Sequence, residues 1–174
     1  MKTQALCFVL FGYLCSSCTG LNQSPELTPC PADIARQALE YAFDYSTADT
    51  EYEFGGQDSL RAIKIDCSGL AVNCYKYAVA GTDYYLPFYD AAVINFFREW
   101  SVSTIDPRPG DLIFMGDDKN SPTHMSLFVK KEGGNIRFID STLKPEELIN
   151  GVSERHYPEN DERFLSFGIL LLKK

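Results

Sequence analysis

The sequence predicts an α+β fold in which helices precede an antiparallel sheet. Apolar residues recur at helical spacing in the first half of the chain, whereas the second half contains the apolar or alternating runs typical of strands. Helices followed by strands, without regular alternation of the two, are typical of α+β proteins. The length of 174 residues, 45% of them hydrophobic, suits one domain with a sizeable core.

The first half of the chain predicts three helices. The stretch "ADIARQALEYAFDY", residues 32–45, places five apolar side chains at helical spacing: Ile34, Ala38, Leu39, Ala42 and Tyr45. A second helix is expected from Cys67 to Ala80, with Asp66 or Ser68 as its N-terminal cap. A third helix is expected around residues 90–100.

The second half of the chain predicts four strands, and a hairpin loop at "KKEGGN" joins the second strand to the third. The strands are "GDLIFMG" (110–116), "HMSLFVKK" (124–131), "NIRFIDST" (135–142) and "FLSFGILLLK" (164–173).

The N-terminus has the layout of an export signal. Lys2 precedes an apolar run, and small residues lead to Cys18 in a pattern that resembles a lipoprotein processing site. We therefore expect a signal peptide at 1–17, a lipid-anchored tether rich in Pro, Ser and Thr at 18–31, and a folded domain at 32–174. Ordinary signal cleavage with release of a soluble protein is the alternative to lipidation at Cys18.

The composition restricts the partners. A formal net charge of -8 makes nucleic acid an unsuitable partner, because binding to its backbone needs a basic surface. No later apolar run is long enough to cross a bilayer, so we expect membrane contact through the lipid anchor alone. The protein is expected to be a monomer that uses no cofactor and no metal.

The cysteines leave an odd number of thiols in the exported chain. Six cysteines are present; removal of the signal takes Cys7 and Cys15, and lipid would occupy Cys18. Cys30, Cys67 and Cys74 remain, and whether Cys30 pairs with another cysteine stays open. Along one helix Cys67 and Cys74 lie about 10 Å apart, which is too far for a disulfide.

Cys67 is the candidate nucleophile because it stands where the second helix begins. The free N–H groups and the macrodipole at a helix N-terminus stabilise an anion and so favour the reactive thiolate. Cys74 lies two turns deeper, without that help. The alternative is that Cys67 is one more small buried apolar residue, which is the commonest role of a free cysteine.

His124 is the candidate base. It opens an alternating strand in which Met125, Leu127 and Val129 suit a core, so His124 faces the other way. The second histidine, His156, is expected in an exposed loop or at a rim, because charged residues and a proline surround it. A cysteine at a helix start and a histidine on a strand form a nucleophile–base arrangement.

A third group is expected to orient the imidazole. Asp140 and Ser141 lie on opposite faces of the next strand, and the strand register decides which of them shares the face of His124. Asp140 has the more suitable chemistry, because its carboxylate can accept the Nδ1–H of the ring. Asp140 could instead simply end its strand or cap a turn.

Together these motifs resemble the NlpC/P60 family of papain-like cell-wall peptidases. The motif "IDCSGL" resembles the nucleophile motif of the family, and "EYEFGGQ" resembles its upstream Tyr-x-Trp-Gly-Gly segment, with Phe54 at the second aromatic position. "RPGDLIFM" resembles the entry to a family strand, and "HMSLFV" its histidine strand. Order and approximate spacing match from about residue 33 to the C-terminus.

The resemblance implies a cysteine-led helix packed on an antiparallel sheet that carries the histidine. It implies Cys67 as nucleophile, His124 as base and Asp140 at the third polar position, where the family often has histidine. Tyr52 falls where the family keeps a tyrosine beside the oxyanion site, and Ser68 is grouped with it as an oxyanion or substrate contact. Simple packing under the glycine turn is the alternative for Tyr52.

The resemblance also implies an activity. Family members usually cut peptide bonds in peptidoglycan stems, often between D-glutamate and a diamino acid, through acyl transfer to the cysteine. The expected place is the bacterial cell envelope, at the outer membrane or a periplasmic face. Two alternatives stay open: a catalytically silent binding or scaffold module, and an amidase or transpeptidase that acts on another amide.

Overall fold

The computed structural model describes residues 26–57 and 63–174, and it confirms the α+β fold with an antiparallel main sheet. The helices are α1 (Ala32–Thr47), α2 (Cys67–Ala78) and α3 (Val93–Arg98), and a 3-10 turn spans Pro145–Glu147. The strands are β1 (Leu27–Pro29), β2 (Thr50–Glu51), β3 (Ile63–Lys64), β4 (Ser101–Thr104), β5 (Leu112–Met115), β6 (His124–Glu132), β7 (Asn135–Lys144), β8 (Ile149–Pro158) and β9 (Phe164–Lys173).

Within these residues, the main sheet has seven strands in the order β1-β9-β5-β6-β7-β8, and β4 also pairs with β9. All of its pairings are antiparallel. The short strands β2 and β3 form a separate parallel pair. Consecutive long strands are therefore neighbours in space, which brings the start of β6 beside the middle of β7.

The helices α1 and α2 pack against each other and against one face of the sheet. The face of α1 that the apolar spacing predicts is buried, from Ile34 to Tyr45. Helix α2 begins at Cys67 as expected and ends at Ala78, two residues before the predicted end. It is buried along most of its length, and this rigid element fixes the position of Cys67.

Both faces of the central strands are apolar. On the helix side, the core includes Leu112, Phe114, Met125, Leu127 and Ile139. The opposite face carries a second cluster, which consists of Ile113, Met115, Phe128, Ile136 and Phe138, with Tyr157, Phe164 and Phe167 packed against it. Alternate residues of β6 therefore face two different buried clusters. His124, the first residue of the strand, lies on the side of the second cluster.

Two further predictions differ from the structure. The expected tether at 18–31 ends too late, because Leu27–Pro29 pair with the end of β9 and Cys30 is buried in the core. The expected loop around His156 is instead strand β8, on which His156 is exposed. Strand β8 carries few apolar residues, and ten register pairs with β7 hold it in the sheet.

The predicted signal peptide, Cys18 and most of the tether lie outside the described residues. None of the helices in the described ranges combines the length and apolar character that a membrane crossing requires.

Candidate functional site

Cys67 is the first residue of α2, and Asp66 caps that helix. The Oδ1 atom of Asp66 accepts hydrogen bonds from the Gly69 N–H at 2.7 Å and from the Ser68 hydroxyl at 3.0 Å. Its Oδ2 atom accepts the N–H of Gly55 at 2.9 Å. Of the two capping candidates, Asp66 therefore fills the role, and it also ties the glycine turn to the start of the helix.

The glycines near Cys67 allow two segments of backbone to approach closely. A Cβ atom on Gly69 would lie 2.4 Å from the carbonyl oxygen of Gly56, and a Cβ atom on Gly56 would lie 2.6 Å from the carbonyl oxygen of Lys64. Real Cβ atoms do not approach other atoms so closely, so a larger residue would push the turn away from the helix. The "FGG" and "CSG" motifs thus meet in space.

His124 and Asp140 meet on one face of the sheet. The register pairs Phe128 with Phe138, and residues two or four positions along each strand share that face. The Nε2 atom of His124 lies 2.5 Å from Oδ2 of Asp140. Ser141 points to the opposite face, where its hydroxyl donates to the carbonyl oxygen of Ile65 at 2.6 Å.

The atom that Asp140 contacts differs from the expectation. The sequence reasoning assigned the Nδ1–H of His124 to this carboxylate, whereas the structure places Nε2 there. The side chain of Cys67 also lies close enough to His124 to raise the pKa of the ring. Because Nε2 already donates to Asp140, Nδ1 is the ring nitrogen left for the sulfur.

The electrostatics of the site favour a protonated His124. Burial disfavours the charged ring, but the interactions with Asp140 and Cys67 outweigh burial and raise the pKa of His124 from 6.5 to about 10. Asp140 is fully buried, which by itself favours its neutral form, yet His124 and Arg155 together hold its pKa below the usual value. A charged imidazolium is the partner that a Cys67 thiolate requires.

Cys67 lies at the wall of an open cleft of about 440 Å³. The lining also includes Tyr52, Phe54, Ser68, Asp90 and Ile94. Burial and the nearby Cys67 and Asp66 raise the pKa of Tyr52, so its phenol keeps its proton and can donate it in the cleft. The structure thus brings the five residues predicted for catalysis and substrate binding to one region: Cys67, His124, Asp140, Tyr52 and Ser68.

The described cysteines are all free thiols, and they differ in environment. Burial and the nearby Asp111 raise the pKa of Cys30 to about 12. Burial and Asp44 likewise raise the pKa of Cys74. Only Cys67 among the three contacts a histidine in the described part of the chain.

We expect iodoacetamide to alkylate Cys67 at least about tenfold faster than Cys74 near neutral pH, because Cys67 lines the open cleft beside His124, whereas burial raises the pKa of Cys74. Peptide mass spectrometry on the folded protein, sampled over time and pH, measures both rates. Cys30 serves as a second buried reference. Equal and slow labelling of all three would contradict the assignment of Cys67.

Arg155 is the residue that sequence reasoning missed. Its Nε donates to Oδ1 of Asp140 at 3.0 Å, and its Nη2 donates to Oδ2 of the same carboxylate. In the sequence, the spacing of Ser153, Arg155 and Tyr157 at every second position is only a weak indication that they share one face of a strand.

Across residues 26–57 and 63–174, no three His, Cys, Asp or Glu side chains are grouped so that they could hold a metal ion.

Comparison with known proteins adds a family and a fold. The model of the NlpC/P60 family matches residues 49–162, which is more than half of the chain. The crystal structure of Ly7917 is similar over 78% of this chain, with a TM-score of 0.51 and 9% sequence identity. The crystal structure of Ly7917 with the hydrolyzing product of MDP is similar over 81%, with a TM-score of 0.50 and 10% identity.

These similarities cover 62% and 63% of the two solved chains, so the protein spans less than two thirds of their length. At such low identity they support the fold alone. A search of curated proteins found no match.

Proposed function

Because the chain belongs to the NlpC/P60 family, we propose that it is a cysteine peptidase that hydrolyses an amide bond in the peptide stems of peptidoglycan. The observation that carries the proposal is the connected set Cys67, His124 and Asp140 at an open cleft. A module that only binds peptidoglycan would not require the buried Asp140 carboxylate to orient His124 toward Cys67. The catalytic reading therefore explains more of the site.

The proposed reaction begins with attack of the Cys67 thiolate on the carbonyl carbon of the scissile amide. A carbon–sulfur bond forms, and the electron pair of the carbonyl moves to oxygen. Collapse of this intermediate breaks the carbon–nitrogen bond, and the imidazolium of His124 gives its proton to the departing amine. The acyl half of the substrate remains on Cys67 as a thioester.

Water completes the cycle. The now neutral His124 takes a proton from a water molecule, whose oxygen attacks the thioester carbonyl. The carbon–sulfur bond breaks, a carboxylic acid leaves, and the Cys67 thiolate and His124 imidazolium are restored. The net change is one amide and one water converted to an amine and a carboxylic acid.

We propose that two groups stabilise the negative oxygen of the intermediate. The backbone N–H of Cys67 is at the first position of α2, where helix geometry leaves N–H groups without an intrahelical partner. The Tyr52 phenol lines the same cleft and lies close enough to feel the charge of Cys67. Such donors contribute most when they are fixed before the reaction. We assign Ser68 a supporting role, because its hydroxyl proton is donated to Asp66.

Two lines of support favour peptidoglycan as the substrate. Family members usually cut stem peptides, often at the bond between D-glutamate and a diamino acid. One similar structure contains the hydrolyzing product of MDP, and this is consistent with a fold that accommodates wall fragments. The cleft offers an exposed aromatic ring at Phe54 and a carboxylate at Asp90 beside Cys67.

Digestion of defined stem peptides, followed by mass spectrometry, tests the proposed function. We expect a new amine and a new carboxylic acid at one amide bond, with the D-glutamyl–diamino acid bond as the first candidate. Cleavage of another amide would overturn that bond assignment, and ligated peptides would identify a transpeptidase. Unchanged stem peptides and unchanged whole peptidoglycan would favour the binding module.

We also propose that lipid at Cys18 anchors the protein in the bacterial envelope, beside its polymeric substrate. The support is the sequence pattern of residues 1–18. Protein purified from its native membrane is expected to begin at Cys18 and to carry acyl groups there, as measured by mass spectrometry of the N-terminal peptide. An unmodified N-terminus at Thr19 would show ordinary secretion instead.

A further inference from the structure

A buried arginine, Arg155, lies behind the Cys67–His124 pair and takes no part in the proton transfers of the proposed reaction. Arg155 stands in β8 opposite Phe138 of β7, and so it shares the sheet face of Asp140. Its side chain is 7% exposed, and that of Asp140 is not exposed at all. The two groups form a bidentate pair, with Nε on Oδ1 and Nη2 on Oδ2.

We propose that Arg155 is a positioning residue of the catalytic centre, which holds the Asp140 carboxylate in the plane that keeps Oδ2 on Nε2 of His124. This inference rests on the proposed function, since it concerns the same site. Arg155 acts through Asp140, because within the described residues its guanidinium donates hydrogen bonds to Asp140 and Tyr157.

The surroundings of Arg155 fix the guanidinium in turn. It lies over the rings of Phe138 and Tyr157, 5.1 and 5.4 Å from their centroids. Its Nη1 donates to the Tyr157 hydroxyl at 2.6 Å, and Lys144 donates to that hydroxyl oxygen at the same distance. A planar guanidinium held on several sides can orient a carboxylate, whereas a flexible ammonium group cannot do so equally well.

Charge balance over the reaction cycle explains why the site needs a second cation. When His124 is protonated, it and Arg155 both face Asp140. When His124 gives its proton to the departing amine, it becomes neutral, and within residues 26–57 and 63–174 Arg155 is then the only charged side chain bonded to the buried carboxylate. An unpaired buried carboxylate is strongly disfavoured and would take up a proton or move toward water. Arg155 thus keeps Asp140 ionised and in place until His124 is charged again.

Several other ionisable groups surround this pair, and any pH dependence includes them. Cys67 contacts His124 from α2, while a small cavity of about 220 Å³ beside His124 is lined by further groups. Those groups are Asp117, Lys144, Arg155, Tyr157 and Arg163. Arg163 is paired with Asp161, and Lys144 with Glu147, so Arg155 is the cation of this group that binds Asp140.

The test measures the alkylation rate of Cys67 by iodoacetamide between pH 4 and pH 9 in the full chain. Arg155→Met is expected to lower the rate near neutral pH by about tenfold, as an orienting contact is lost. It is also expected to move the acidic limb of the profile to higher pH, because the pKa of Asp140 rises when a cation that lowers it is removed. Arg155→Lys should restore the acidic limb in part.

A double-mutant cycle separates positioning from structure. In an Asp140→Asn background, Arg155→Met is expected to change the Cys67 rate by less than about twofold, since its partner carboxylate is already gone. Arg155→Met alone leaves the buried Asp140 carboxylate without its arginine partner, whereas the double variant has no carboxylate there. The double variant is therefore expected to stay folded even if Arg155→Met alone does not. Arg137→Met, which removes an exposed arginine paired with Glu154, is the matched control.

The outcomes are distinct. A wild-type rate and pH profile in Arg155→Met, or an equal loss in both backgrounds, would overturn the role of Arg155 and leave the proposed function standing. A wild-type Cys67 that reacts no faster than Cys74 would instead contradict the proposed function itself. Thermal melts of every variant show that the compared proteins are folded.

Discussion

Cys67→Ala is expected to abolish peptide hydrolysis, because it removes the sulfur that forms the proposed acyl intermediate. Removal of the nucleophile in a comparable serine hydrolase lowers kcat by about 10⁶-fold, which here means activity below detection. The fold should survive, since Cys67 lies at the edge of the core and alanine is a good helix former. Turnover of stem peptides, measured by chromatography of the products, gives the comparison.

Cys74→Ala is the matched control for this change. It removes a thiol from the same helix, two turns deeper in the core and without a histidine contact. The substitution is expected to lower the melting temperature slightly and to leave turnover within about twofold, since it leaves only a small cavity. Residual hydrolysis by Cys67→Ala at more than a small fraction of the wild-type rate would contradict the assignment.

Asp140→Asn is expected to reduce turnover by about 10²–10³-fold. The amide oxygen can accept from Arg155 or from His124, while the amide nitrogen presents a donor to the remaining partner, so the ring loses its orientation. Loss of the orienting aspartate costs about 10⁴-fold in a serine triad. We expect less here, because a cysteine–histidine pair is already partly ionised.

Ser141→Ala tests which face of β7 carries the residue that orients His124. Its hydroxyl donates to the carbonyl oxygen of Ile65 on the helix side, away from His124. Its loss is expected to cost about 1 kcal/mol of stability and to leave turnover near that of the wild type. Thermal melts and stem-peptide turnover of both variants provide the test; an active Asp140→Asn beside an inactive Ser141→Ala would reverse the assignment of the faces.

Local patterns in the sequence could predict the parts of the site that lie on regular elements. The helix start at Cys67 follows from a capping residue and an apolar run, and the alternation of β6 and β7 separates His124 and Asp140 from the residues that face the helices. These are short-range rules of period and capping, and they hold wherever one face of an element is buried. The choice between Asp140 and Ser141 needed the register, which depends on the pairing of two strands.

The parts that could not be predicted depend on contacts between distant residues. Strand β8 is polar, and its pairing with β7 rather than its own periodicity makes it a strand. No local pattern in the sequence therefore predicts that Arg155 pairs with Asp140. Strand β1 is three residues long and exists because the end of β9 offers it a partner. The nitrogen of His124 that faces Asp140 is set by how the ring enters the site, which no local pattern specifies.

The central claim is that Cys67 carries the acyl half of the substrate. An acid quench during steady turnover of a stem peptide, followed by mass spectrometry of the tryptic peptide that contains Cys67, tests it most directly. We expect a hydroxylamine-sensitive adduct on Cys67 with the mass of the acyl fragment, and we expect no such adduct in Cys67→Ala. An adduct on a different residue, or product formation by Cys67→Ala at the wild-type rate, would contradict it.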